Sequence, residues 1–294
     1  MEGSNTSQLR SSSFPSSLNP SFSRIETKLH ELKTLTPFYT STCIHIDLVR
    51  LIDLYVSVDE LIGSSKTQKV NLQYRNKALI EDALAASSRL MDSYSKLVEL
   101  LAQMKEDVRV LQFALRRQGI YARSEDHLLG YFLSRKKAKK NIVRCLRSFD
   151  QLERETESYP TSGEDNHLSR LIAVLRDIVI ATISVFRYVL LSLSCGKPKL
   201  NNGFSFIKKL IRTDYKPSCQ KDREIIKDAD ILDLTLDSLL INIKKNECQT
   251  VEVQVGIERL HKLDLQVEGY EIGLDSLYRK LIQTRVSLLN ILAN

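Results

Sequence analysis

The sequence predicts an all-α protein, an elongated bundle of long antiparallel amphipathic helices with coiled-coil-like seams. Three observations lead there. Only 10 Gly and 6 Pro serve 294 residues, and Pro15, Pro20 and Pro37 all precede Thr40, so helix breakers are scarce over the rest of the chain. Two long stretches repeat apolar residues at steps of three and four, the spacing that puts them on one side of a helix. No stretch alternates Val, Ile, Thr and aromatics between turn dipeptides as strands do. With 43% hydrophobic and 27% charged residues the composition is that of an ordinary folded protein, which excludes wholesale disorder.

Residues 1–21 are Ser-rich, hold the single acid Glu2 and lack hydrophobic periodicity; they read as a disordered tail, like a transit peptide only in being acid-poor. Residues 22–294 form the expected bundle domain. Its first helix runs from about Phe22 to Leu35 and is ended by Pro37. The second, about Cys43 to Ile62, carries Leu48, Leu51, Ile52, Tyr55, Val58 and Ile62 on one face before Gly63. The first long seam follows through Leu79, Ala83, Ala86, Leu90, Tyr94, Leu97, Leu101, Met104, Val108, Leu111 and Leu115. It implies one continuous helix of roughly 55 Å, closed by Gly119. The next helix spans about Ser124 to Glu157, with Ser124 as cap and Glu125 and Asp126 suited to the positive end of its dipole.

Tyr159, Pro160 and Gly163 mark a turn, after which a helix spans about Glu164 to Ser194. Its apolar run is divided by Arg176, Asp177 and Arg187 into pieces far shorter than the roughly 20 residues a bilayer requires, so it reads as a buried helix. Residues 195–222 contain Gly196, Pro198, Gly203 and Pro217 and read as an irregular connection with a short helix near Phe204 to Ile211. Helices resume from about Asp222 to Lys245. The last carries the second seam through Leu260, Leu263, Val267, Tyr270, Leu274, Leu277, Leu281, Thr284, Leu288 and Ile291. Two such seams need partners: antiparallel packing within the chain is the economical arrangement, and self-association is the alternative.

Cys43, Cys145, Cys195, Cys219 and Cys248 are odd in number and widely spaced, as expected of reduced thiols in an intracellular, cytoplasmic protein, and no secretory signal is read at the N-terminus.

Several blocks together resemble the plant-specific BYPASS-like family. They are Arg10-Ser11-Ser12-Ser13-Phe14-Pro15-Ser16, Leu54 to Leu61, Gln103 to Arg109 leading to Leu115-Arg116-Arg117, Tyr131 to Lys140, and the specific closing block Leu277 to Leu292. In the first, Leu18, Asn19 and Pro20 stand where the family often has His-Pro. The resemblance implies an all-helical intracellular plant protein associated with root and shoot development, and it brings no catalytic residues with it.

The residue inventory agrees in offering no enzyme. His30, His45, His127, His167 and His261 form no helical zinc pair, and neither a phosphate-cradling glycine loop nor a nucleophile elbow occurs, so no catalytic residue, metal or cofactor is expected. Function is sought in binding instead. The net charge is +7, and residues 105–147 hold twelve Lys and Arg against four Asp and Glu, which leaves the remainder close to neutral. Arg135, Lys136, Lys139, Lys140, Arg144 and Arg147 form a candidate basic face; Lys136, Lys140, Arg144 and Arg147 stand opposite Phe132, Ala138, Ile142, Cys145, Leu146 and Phe149 on the helical wheel. A solvated face is the plain reading, an anionic membrane surface the next, and nuclear import through the segment 135–140 a third; nucleic acid is disfavoured because aromatics are few. In the tail, Arg10, Ser11, Ser13 and Pro15 have the spacing of a phosphoserine motif read by 14-3-3-type adaptors. Protein partners are therefore expected.

Overall fold

The computed structural model describes residues 20–34, 41–69, 74–118, 123–158, 167–194 and 228–293, and among these it contains eight α-helices and no strand. In chain order they are α1 Pro20–Thr34, α2 Ser41–Ile62, α3 Ser65–Gln68, α4 Tyr74–Gln118, α5 Arg123–Glu157, α6 His167–Leu193, α7 Asp228–Lys245 and α8 Thr250–Ala293. Pro20 and Ser21, expected to close the tail, belong to α1, while residues 1–19 of the expected tail, the connection 195–222 with its short helix, and the closing Gly119 lie outside the described residues. The first helix begins at Pro20, where a ring without N–H costs nothing because first-turn N–H groups have no helical acceptor.

The two seams are the longest helices. At 1.5 Å per residue, the 45 residues of α4 and the 44 of α8 each extend for about 65 Å. All ten seam residues named on α8 are buried, as are those on α4 from Ala86 to Leu115. The two helices pack antiparallel: Arg285 donates to the Leu84 carbonyl and to Ser88, both at 2.7 Å, near one end, while Lys105 reaches Glu271 at 2.6 Å and Arg109 reaches Asp264 at 2.9 Å toward the other. Between them Tyr94 and Tyr278 stack with ring centroids 4.3 Å apart.

Antiparallel packing does not extend to every neighbour. His45 and Leu48 of α2 lie against Gly269 and Gly273, and Thr284 donates to Asp59 at 2.6 Å, so both positions advance together and α2 runs parallel to α8. The contact depends on the two glycines. A Cβ on Gly269 would fall 2.2 Å from His45 Nε2, and one on Gly273 would fall 2.9 Å from Leu48 Cδ1. Helix α6 runs through the middle, packed on α1, α2, α4 and α5. Its apolar residues are buried on most sides, and its Arg187 meets Asp150 and Glu153 of α5 at 3.0 and 2.7 Å. No described helix is long and apolar enough to cross a membrane.

The four-residue α3 has no counterpart in the sequence reading. Ser64 is extended, and its carbonyl accepts from the Thr67 and Gln68 N–H groups. The Thr67 hydroxyl has one proton; given to the Leu61 carbonyl at 2.8 Å, it leaves His167 to donate from Nε2 at 2.7 Å. Burial and the nearby Lys66 cation hold His167 below its ordinary pKa, so this anchor works with a neutral ring. At the other end, Asn246 closes α7 in the left-handed region with φ 57°. The Glu252 carboxylate then accepts the Gln249 N–H at 3.2 Å and Asn242 at 2.9 Å, which starts α8 one turn later.

Candidate binding surface on α5

Helix α5 places Leu128, Tyr131, Ala138, Ile142, Cys145, Phe149 and Leu152 in the core at steps of three, four and seven. Arg135 falls on the same side, because it stands seven residues after Leu128 and seven before Ile142. It is 5% exposed and does not belong to an outer face. It donates from Nε to Asp233 of α7 at 3.3 Å and from a terminal nitrogen to the Leu193 carbonyl at the end of α6 at 2.9 Å. Lys139 is half-buried and reaches the other Asp233 oxygen at 3.8 Å. These two members of the expected face are thus corrected: they fasten α5 to α6 and α7.

Lys136, Lys140, Arg144 and Arg147 are exposed as expected, and Lys137 joins them. Lys137 was legible in principle, since it lies four residues after Leu133 and three before Lys140. Four of the six acids of α5 are engaged away from the five cations, while Asp126 and Glu157 are exposed near its two ends. Glu125 pairs with Lys244 at 3.5 Å, Asp150 and Glu153 with Arg187, and Glu155 with Arg89 at 3.5 Å. Among the described residues no carboxylate comes within 4.0 Å of the five, although Arg144 donates to Asn141 of its own helix at 3.2 Å. Two leucines share this side: Leu129 is 39% exposed and Leu133, one turn from Lys136 and Lys137, is 70% exposed. Beside the start of α5, exposed Val110 and Phe113 of α4 line a shallow groove with Arg117 and His127.

A second concavity lies between the N-terminal halves of α4 and α6, floored by Tyr55 and Thr284. Its free volume is about 60 Å³, room for only a few waters. Polar groups at its floor are already bonded, Tyr55 to Thr182 at 3.0 Å and Thr284 to Asp59. Burial raises the Tyr55 phenol well above its ordinary pKa. Among the described residues no group of three His, Cys, Asp or Glu is arranged to hold a metal. Elsewhere Asp47 of α2 is buried with one carboxylate oxygen unbonded, and burial pushes its pKa up to about 6 against the lowering pull of Arg50. The phosphoserine motif of Arg10, Ser11, Ser13 and Pro15 lies outside the described residues.

Eight packed α-helices without a strand among the described residues define an all-α helical bundle. The chain belongs to the family described as Protein BPS1, the BYPASS1 protein family, whose model matches residues 47–291, from within α2 almost to the end of α8. That family is associated with regulation of root and shoot development. Comparison with curated proteins and with solved structures gave no match.

Proposed function

We propose that this chain is a non-enzymatic regulatory protein of root and shoot development that works by binding, and that the outer face of α5 is the surface it presents. The carrying observation is the arrangement of charge on α5: Glu125, Asp150, Glu153 and Glu155 pair with other helices while Lys136, Lys137, Lys140, Arg144 and Arg147 stay outside without a carboxylate within 4.0 Å among the described residues. Like charges at helical spacings of three and four oppose folding slightly, so the arrangement contributes nothing to the stability of the bundle. Association with an anionic partner is what such a face favours, by raising encounter rate and fixing orientation. The bonded polar floor of the α4–α6 crevice adds support to a binding role over a chemical one.

The test is complementation. Plants lacking the protein receive either the wild-type chain or a variant with Lys136→Glu, Lys140→Glu and Arg144→Glu, and accumulation is checked by immunoblot. Equal accumulation with restored growth only from the wild type is the expected result. Full restoration of root and shoot growth by the variant would overturn the reading.

A further inference from the structure

The geometry points to an anionic lipid surface as what the outer face of α5 binds, an inference that rests on the reading of α5 as the binding surface. Lys136 and Arg147 are eleven residues apart, so the cations form a strip about 16 Å long on a straight helix. That helix is held from behind by Phe149, Ile142 and the Arg135–Asp233 contact, so the strip is preformed and convex. A convex strip suits a plane better than a peptide, which calls for a groove.

The second observation is the pair of leucines. Leu129 and Leu133 stand on the cationic side, and solvent has reached them although the bundle core lies directly behind. A nucleic acid gains little from them, and this side of the helix offers no exposed aromatic ring on which a base would stack. A bilayer interface uses both features, with headgroup phosphates and carboxylates against the cations and the acyl boundary against the leucines. Asp126 in the first turn is also exposed on this side, but it is ten residues, about 15 Å, ahead of Lys136. The strip itself is therefore not neutralised by its own helix.

The experiment uses the full chain and sedimentation with phosphatidylcholine vesicles, with and without phosphatidylserine. Binding is expected only to the phosphatidylserine vesicles and should fade as salt is added. Changing Lys136, Lys137, Lys140 and Arg144 to Gln should weaken it by more than about a hundredfold, since each base near the surface contributes a factor of about five. Changing Leu129 and Leu133 to Ser leaves the charge intact; it should weaken vesicle binding by about tenfold while binding to immobilised heparin stays unchanged. Both variants alter exposed positions and should unfold at temperatures no lower than the wild type. The inference is overturned if the wild type ignores phosphatidylserine vesicles at low salt. It is equally overturned if the leucine variant binds vesicles as the wild type does, which would leave a general polyanion site. Loss of plant growth with the charge-reversed variant, without vesicle binding by the wild type, would point to an acidic protein and reject the lipid alone. Vesicle binding together with full growth rescue would reject the developmental role of α5 and keep the lipid.

Discussion

Arg135 and Lys136 are adjacent in sequence and both cationic, yet one ties three helices together on the inner side of α5 and the other stands in solvent on the outer side. On the inner side each charge has a partner: Arg135 and Lys139 share Asp233, and Asp150 and Glu153 share Arg187. The outer side has the same residue types and no carboxylate within reach among the described residues. Charge counted along a sequence therefore merges two populations that folding separates. One holds the bundle and the other is available to something else.

The comparison breaks most sharply at Arg135. Replacing it by Ala leaves Asp233 with only the more distant Lys139 and leaves the Leu193 carbonyl without its donor, so the loss should be about 3 kcal/mol in urea unfolding. Lys136→Ala, one residue on, should change stability by less than about 0.5 kcal/mol. Equal effects at the two positions would mean that the inner and outer sides do not differ as the geometry says.

Much of this was readable beforehand and some was not, for reasons particular to each element. The seams were legible because a helix reports its buried side by period alone, as Leu260 to Ile291 show residue by residue. Arg135 was legible by the same period, but a block of five bases in six residues draws the eye to charge and away from register. Helix α3 was not, because four residues carry little periodic signal and its anchor, His167, is a hundred residues distant. Nor was the parallel course of α2 along α8. Gly269 and Gly273 look like weak points in a helix until His45 and Leu48 are seen to occupy the space their side chains would fill.

A buried acid without a good partner supplies the next contrast. Asp233 has two cations, whereas Asp47 has only Arg50 at 3.6 Å and keeps one oxygen unbonded. Its pKa rises from 3.8 to about 6, so the folded state holds a proton that the unfolded chain has released. That group's contribution is fully favourable below pH 3.8, falls as pH rises toward about 6, and is flat above. The fall amounts to at most about 3 kcal/mol. Asp47→Asn should thus be more stable than the wild type at pH 7.5 and should lack this descending limb in denaturant titrations run across the acidic range. An Asn variant less stable at neutral pH would show that the carboxylate is charged and held by a partner.

The smallest effect bears on the outer face itself. Lys136 and Lys140, and Lys140 and Arg144, are like charges at i,i+4, while Lys137 and Lys140, and Arg144 and Arg147, are like charges at i,i+3. Each such pair destabilises a helix by about 0.2–0.5 kcal/mol. Changing Lys136, Lys140, Arg144 and Arg147 to Gln removes all four pairs and should therefore raise stability by about 1–2 kcal/mol at low salt, and the gain should shrink in high salt as the repulsion is screened. A variant less stable than the wild type would place these side chains in contacts that hold the bundle and return them to the population that includes Arg135. The expected gain has the opposite meaning. A face that slightly weakens its own fold is what the proposed binding role expects.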